Sequence, residues 1–152
     1  MILRDATADD VPQMSAFLMR LMEMGKRTNG SDPAFVLDRY INAADNIKTT
    51  LAEDNGVVLG FQTLIRATEG NIYGVTPGWG IVGTHVNPDA ARRGVGRALF
   101  PVTLQAAKTA GLHKIDASIG VGNAEGQAYY EAMGFRTYRT PDGLVCKCYT
   151  LS

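Results

Sequence analysis

A short stretch rich in arginine and glycine has the residue types that bind phosphate. Arg92, Arg93 and Arg97 lie close together, and Gly94 and Gly96 stand between them. Guanidinium groups pair with phosphate oxygens, and glycine lets a ligand come close to the main chain. The stretch therefore predicts a binding site for a phosphate-bearing cofactor. The alternative is that the glycines only turn the chain and the arginines point into solvent.

The position of this loop in the chain supports a phosphate site. The apolar run from Ile81 to Val86 is typical of a buried strand, and Val95, Ala98, Leu99 and Val102 recur with the period of a helix. A loop between a strand and a helix presents the first helical turn, whose amides lack partners and carry partial positive charge. The spacing is not that of a P-loop, because no Lys-Ser/Thr follows. It also lacks the third glycine of a dinucleotide-binding fingerprint.

The composition limits the class of protein. The chain has 152 residues with 45% hydrophobic residues and a formal net charge of zero, so we expect a single domain over residues 1–152. The balanced charge gives no reason to expect binding to nucleic acid or to a membrane. Neither a signal peptide nor a membrane-spanning stretch is recognisable, which predicts a cytoplasmic protein. Cys146 and Cys148 are interpreted as packed thiols rather than as a disulfide or zinc ligands.

The hydrophobic periodicity predicts an α/β protein. We expect elements in the order β-α-α-β-β-β-α-β-α-β-β, which implies one mixed sheet with helices on its faces. The segment from Asp54 to Gly56 predicts a tight hairpin turn between two β-rich runs. Asp32 and Pro33 are typical of a helix start, and Gly111 is typical of a helix end. These elements must position the arginine-glycine loop.

A second motif lies further along the chain. Asn123 is expected to cap a helix that runs to Met133, ends at Gly134 and carries Tyr129 and Tyr130. By itself this is a capped helix with two buried aromatic residues and a glycine stop. Together with the arginine-glycine loop, in this order and at this separation, it resembles the acyl-CoA-binding motifs of the GNAT family of N-acetyltransferases. The likeness includes the opening strand, the paired helices and the hairpin.

The resemblance implies a fold and an enzyme class. The GNAT fold has a single mixed, mostly antiparallel central sheet of about seven strands with about four helices on its faces. The implied reaction is transfer of an acetyl group from acetyl-CoA to an amine, without a metal. The residues that would contact the cofactor are Val86, Arg92, Arg93, Gly94, Val95, Gly96, Arg97, Ala98, Asn123 and Tyr130.

The resemblance also suggests individual roles. The loop amides would hold the cofactor pyrophosphate, and the main chain of Val86 would pair with the pantetheine arm. Asn123 would contact the cofactor, and Tyr130 would protonate the departing thiolate, since a phenol is a donor at pH 7. The alternative is that Tyr130 is a core aromatic residue, and the adjacent Tyr129 leaves the register open.

The chain departs from the family pattern at two points. The charged residue expected before the loop falls on Ala91, so Arg92 or Arg93 would have to supply the charge. The positions at which relatives often carry a Glu or His base fall on Gly80 and Val82. The family pattern therefore assigns no general base.

An amine nucleophile must be neutral, yet an alkylamine is only about 0.1% neutral at pH 7. His85 is in the strand before the loop and is our candidate catalytic base, although it could instead be packed or face away from the substrate. Glu23, Glu53 and Glu69 are weaker candidates, and His113 is interpreted as structural.

We expect an N-acetyltransferase that moves an acetyl group from acetyl-CoA to a primary amine of a small molecule, by direct attack in a ternary complex. Two alternatives stay open: a protein N-terminal or lysine acetyltransferase, and a non-catalytic acyl-CoA-binding sensor or interaction module. Exposed strand edges near the C-terminus are compatible with a homodimer.

Overall fold

The computed structural model describes residues 1–151. One sheet holds seven strands in the order β1-β2-β3-β4-β5-β7-β6. The strands are β1 (Ile2–Asp5), β2 (Asn46–Asp54), β3 (Val57–Arg66), β4 (Gly80–Val86), β5 (Lys114–Gly120), β6 (Arg136–Arg139) and β7 (Leu144–Thr150). The α-helices in the described residues are α1 (Val11–Glu23), α2 (Pro33–Val36), α3 (Val95–Thr109) and α4 (Ala124–Met133). The predicted element order and the expected mixed sheet are confirmed.

Local sequence explains where the N-terminal elements begin and turn. The carboxylate of Asp10 accepts a hydrogen bond of 2.8 Å from the amide of Thr7, which fixes the turn before α1. Pro33 occupies the first turn of α2, as predicted, and the helix continues as a wider π-helical turn over Leu37–Ile41. The hairpin between β2 and β3 turns at Asn55, whose φ of 50° is left-handed and suits asparagine.

The helices cover opposite faces of the sheet. Helices α1 and α2 pack on one side against β2 and β3, where the buried residues are Val11, Met14, Phe17, Leu18, Val36, Tyr40, Leu51, Val58 and Phe61. Helices α3 and α4 cover the other side, where Phe100, Tyr130 and Phe135 join Val82 and Ile115. We call these sides the α1–α2 face and the α3–α4 face. Since successive strand residues point to opposite sides, neighbours on one strand serve different faces.

The sheet opens between β4 and β5, its one parallel pair. These strands pair only at Gly80 with Ile115 and at Ile81 with Asp116. Further along, β4 stays paired to β3 as far as Val86, while β5 stays paired to β7 up to Gly120. Each strand therefore follows its own half of the sheet, and a gap bounded by residues 82–86 and 117–120 separates them. We call this gap the β4–β5 opening.

Candidate functional site

The arginine-glycine loop joins β4 to α3, as the sequence predicts. Gly94 caps the helix with a left-handed φ of 74°, a conformation that favours glycine. A Cβ atom built on Gly94 would meet no atom within 4 Å, so the loop has open space at this point. The first turn of α3 leaves the amides of Val95, Gly96 and Arg97 without helical acceptors. An anion could bind these amides.

The three loop arginines differ in their surroundings. Arg93 donates a hydrogen bond of 2.9 Å to the carboxylate of Asp54 at the β2–β3 hairpin. Arg92 has a left-handed φ of 66°, and both Arg92 and Arg97 are exposed. Among residues 1–151 neither of these two side chains forms an ion pair. Of the two residues that could replace the missing family charge, Arg92 is the one whose charge is uncommitted.

Gly96 has a different reason to be glycine. A Cβ atom at this position would lie 2.6 Å from Cε1 of Tyr129, so the glycine lets α4 pack closely against the start of α3. The Tyr129 hydroxyl donates a hydrogen bond of 2.8 Å to the carbonyl of Gly96. Gly96 therefore shapes a helix contact, whereas the ligand-approach argument applies to Gly94.

Tyr130 is the end of a hydrogen-bonded chain on the α3–α4 face. Its hydroxyl lies 2.7 Å from Oγ1 of Thr84 on β4. The amide nitrogen of Gln62 on β3 donates to Thr84 at 2.8 Å and to the hydroxyl of Tyr129 at 3.0 Å. The chain thus links Tyr130 to the Gly96 carbonyl at the start of α3. Within the described residues, the buried Oε1 atom of Gln62 has no hydrogen-bond partner.

Burial controls the protonation of Tyr130. The residue is 7% exposed, and its ring packs against Tyr129 and Phe135. Burial raises the pKa of Tyr130 far above its ordinary value, because charge is disfavoured away from water. The phenol is therefore neutral at physiological pH and can donate a hydrogen bond.

His85 lies on the α1–α2 face of the same strand. Its ring centroid is 4.7 Å from that of Phe61 and 5.2 Å from that of Tyr40. Its Nδ1 is 3.3 Å from the guanidinium of Arg27, which is itself held by the Tyr40 hydroxyl and the carbonyl of Gly30. Burial and the Arg27 charge lower the pKa of His85 to about 3. So weak a base is poorly suited to remove a proton from an amine, and the geometry argues against our sequence-based candidate.

A buried carboxylate lies on β5, also on the α1–α2 face. Asp116 is 0% exposed. Its Oδ1 accepts a hydrogen bond of 2.7 Å from Ser118, and its Oδ2 accepts one of 2.6 Å from the hydroxyl of Tyr138. Burial raises the pKa of Asp116. Our sequence reasoning missed this pair, although two polar residues alternate with Ile115, Ala117 and Ile119 in an otherwise apolar strand.

The remaining predicted residues occupy varied positions. Asn123 caps α4, as predicted, by accepting a hydrogen bond of 2.9 Å from the amide of Gly126. Val86 is the last residue of β4, on the strand edge that borders the opening. Glu53 lies on β2, two strands from β4, and is ion-paired to Arg4 at 2.8 Å. Glu23 and Glu69 are exposed.

The sequence was then compared with known proteins. The family model described as "Acetyltransferase (GNAT) family" matches residues 16–135. The chain belongs to this family. The predicted enzyme class is thereby confirmed, and this GNAT protein is an acetyl-CoA-dependent N-acetyltransferase. A search of curated protein sequences found no significant match.

Solved structures share the fold of this GNAT acetyltransferase. The GNAT domain of PAT from S. lividans matches with a TM-score of 0.81 and 21% identity, over 98% of this chain and 89% of that one. A GCN5-related N-acetyltransferase from Kribbella flavida gives 0.78 and 24%, over 99% and 97%. The protein yncA from Salmonella typhimurium, solved with its cofactor acetyl-CoA, gives 0.75 and 20%, over 99% and 94%. At these identities the likeness concerns the fold alone, and it confirms the predicted GNAT fold.

Residues 1–151 contain neither a candidate membrane span nor a candidate metal site. No helix in this part of the chain combines the length and apolar character needed to cross a membrane. Nor does it hold a group of three or more His, Cys, Asp or Glu side chains placed to bind a metal ion.

Proposed function

We propose that this acetyltransferase moves the acetyl group of acetyl-CoA to a primary amine of a small molecule, by direct attack in a ternary complex. The observation that carries the proposal is the β4–β5 opening, which has the arginine-glycine loop at its wide end and Tyr130 beside it. Because the opening is a gap in the sheet, it can be reached from both faces. A thioester placed there would have the Tyr130 hydroxyl on one face, and we propose that the amine approaches from the other.

The residues around the opening suit acetyl-CoA. The edge of β4 from 82 to 86 is not paired to β5, so its amides and carbonyls can pair with the extended amide chain of pantetheine, as an added strand would. The free amides at the start of α3 and the charges of Arg92 and Arg97 suit a pyrophosphate. The open space at Gly94 allows the phosphates to approach the main chain. Asn123, at the start of α4, is proposed as a further cofactor contact.

The proposed chemistry proceeds through a tetrahedral intermediate. The amine nitrogen attacks the thioester carbon, and the carbonyl oxygen becomes an oxyanion near the amide of Val86. Fixed N–H donors stabilise such an oxyanion better than water does, because they need no reorganisation. The intermediate collapses when the carbon–sulfur bond breaks and the sulfur leaves as a thiolate.

Tyr130 stabilises the departing sulfur in this scheme. Its hydroxyl is proposed to donate a hydrogen bond to the sulfur as negative charge develops. Because the pKa of Tyr130 is raised far above the ordinary thiol value of about 8.5, full transfer of its proton would be uphill. Thr84 can donate to the phenol oxygen, which leaves the phenol hydrogen free for the sulfur.

The acceptor side favours a small molecule. An extended peptide would need a groove between α2 and the loop from 70 to 78. The cavity at the start of this loop, which is lined by Arg39, Asp45 and the end of β3, encloses about 190 Å³ and leaves little room for an extended peptide. Arg139 on β6 also donates a hydrogen bond of 2.7 Å to the carbonyl of Tyr73, which ties this loop to the sheet.

The test is release of free CoA thiol with acetyl-CoA and a panel of amines. Amino acids, polyamines and aminoglycosides represent small acceptors, and peptides with free N-termini or lysines represent protein acceptors. We expect at least one small primary amine to be turned over faster than every peptide. Faster turnover of a peptide would establish the protein acetyltransferase instead, and CoA binding without thiol release would indicate a sensor module.

A single variant tests whether CoA binds at the arginine-glycine loop. Gly94→Glu puts a side chain and a negative charge at a left-handed position in the phosphate loop, so it should abolish CoA binding in calorimetry. An unchanged titration would refute the loop assignment.

A further inference from the structure

We propose that Ser118 takes the proton that leaves the acceptor amine and passes its own proton to Asp116. This inference rests on the proposed function, in which the amine attacks a thioester in the β4–β5 opening. It supplies a candidate for the general base, because the family pattern points to Gly80 and Val82 and the pKa of His85 is lowered to about 3.

Ser118 borders the opening. The last β4–β5 pair joins Ile81 to Asp116, and Ser118 follows two residues later on the part of β5 that is paired to β7 but no longer to β4. It shares the face of Asp116, because residues two apart on a strand point to the same side. Ser118 is half-buried, whereas Asp116 is fully enclosed, so of the two groups the Ser118 hydroxyl is the more accessible. In our proposal the amine therefore reaches Asp116 through Ser118.

The opposite wall of the opening is formed by β4. If the β4–β5 register continued, Gly83 would stand opposite Ser118. Gly83 has no side chain, and a Cβ atom there would point towards Thr63 and His85 on the α1–α2 face. The side chains of Thr63 and His85, 3.1 Å and 3.4 Å from that Cβ position, therefore line the wall opposite Ser118. Tyr130 lies on the other face, so the proton donor and the proton acceptor approach the reacting centre from opposite sides.

The surroundings of Asp116 make it a better proton acceptor than an ordinary aspartate. Burial raises the pKa of its carboxyl, and this effect outweighs the hydrogen bonds from Tyr138 and Ser118 and the charge of Arg139, which lies 4.0 Å away. The titratable and charged groups around this carboxylate are Tyr138 and Arg139 on β6, Cys148 on β7, Lys114 on β5 itself and Tyr130 on α4. None of these groups is a carboxylate, so none of them competes as a second acid for the proton.

The proton balance closes without another reactant. The nitrogen–carbon bond forms with the amine lone pair, and the positive nitrogen gives its proton to Ser118 Oγ. Ser118 gives its own proton to Asp116 Oδ1 along the existing 2.7 Å hydrogen bond. The carbon–sulfur bond then breaks, and the thiolate leaves with a hydrogen bond from Tyr130. Solvent protonates the released thiolate, and Asp116 loses its proton to solvent before the next cycle.

The experiment compares wild type and variants of the whole protein, and it measures kcat with the amine of the panel that wild type acetylates fastest. Ser118→Ala and Asp116→Asn should each lower kcat by about 100-fold, the lower range for loss of acid–base catalysis, with CoA affinity unchanged. Ser118→Thr keeps the hydroxyl and should restore most of the activity. Wild-type kcat in either Ser118→Ala or Asp116→Asn would overturn the proposal.

The pH profile separates proton transfer from a structural role. We expect wild-type kcat to fall on the acid side as Asp116 is protonated, and Asp116→Asn to lose this limb. The control is Tyr138→Phe, which removes a hydrogen bond that favours the ionised carboxylate. It should keep the plateau value of kcat and move the acid limb to higher pH. An acid limb of the kcat profile that is identical in all three proteins would show that Asp116 has only a structural role, in which it holds β6 through Tyr138.

The two hypotheses fail in different ways. A wild-type protein that acetylates peptides or no amine at all defeats the proposed function, and this inference with it. The inference alone fails if the wild type acetylates small amines and the Ser118→Ala and Asp116→Asn variants have the same kcat and pH profile.

Discussion

Burial shifts the pKa values of ionisable groups on both faces of the β4–β5 opening, but with opposite chemical results. On the α3–α4 face, burial keeps the Tyr130 phenol neutral, and a neutral phenol is a hydrogen-bond donor. On the α1–α2 face, burial lowers the pKa of His85 to about 3 and raises that of Asp116. The imidazole thereby becomes a worse proton acceptor, whereas the carboxylate becomes a better one. Burial alone therefore does not mark a catalytic group, and the charge type decides what burial does.

The largest expected effect compares Tyr130 with His85 in turnover. Tyr130→Phe should lower kcat by about 100-fold with little change in CoA affinity, because it removes a donor that acts only as sulfur gains charge. His85→Gln should stay within about 3-fold of wild type, since a base that weak contributes little proton transfer. Steady-state kinetics with calorimetry for CoA measures both. Equal kcat in Tyr130→Phe and wild type would remove Tyr130 from the mechanism.

A second prediction concerns the contribution of the His85 imidazole to the pH dependence of stability. The pKa of His85 is 6.5 in the unfolded chain and about 3 in the folded protein. Below pH 6.5 the unfolded state therefore binds a proton that the folded state does not bind. Stability is lost as pH falls, and His85 should cost the wild type about 2 kcal/mol between pH 8 and pH 5. The check is urea unfolding of wild type and His85→Gln at both pH values. If the two proteins lose the same free energy of unfolding, the pKa of His85 is not lowered.

The sequence predicts the framework of this site better than its polar chemistry. The element order, the Asn123 cap and the strand–loop–helix unit at Gly94 follow from periodicity and from glycine conformation, which are local properties. The pairing of Arg93 with Asp54 joins residues from separate elements, and no local pattern indicates it. For the same reason Gly96 looks like a second ligand-binding glycine until its contact with Tyr129 is seen.

The polar residues of the opening were missed for a related reason. Gln62, Thr84 and Ser118 lie in largely apolar strands, and a strand pattern gives only the face on which each side chain lies. Their partners are set by the pairing of β3 with β4 and by the separation of β4 from β5. A sequence also does not show that Arg27, far from His85 along the chain, lies against its ring. The role of a titratable group therefore depends on its partners in space.

The smallest expected effect is the contribution of Asp116 to the pH dependence of stability, and its sign is opposite to that of His85. The pKa of Asp116 is raised in the fold, so as pH rises above about 4 the unfolded chain ionises first and the folded state is destabilised. As pH rises from 4 to 8, the wild type should therefore lose stability relative to Asp116→Asn. Over the same range the His85 contribution to stability increases. The change should be smaller than for His85, because Tyr138, Ser118 and Arg139 all favour the ionised carboxylate and offset part of the burial. Urea unfolding of both proteins across this range measures it. Parallel curves would mean that the pKa of Asp116 is ordinary, and the carboxylate would then be no stronger a proton acceptor than one in water.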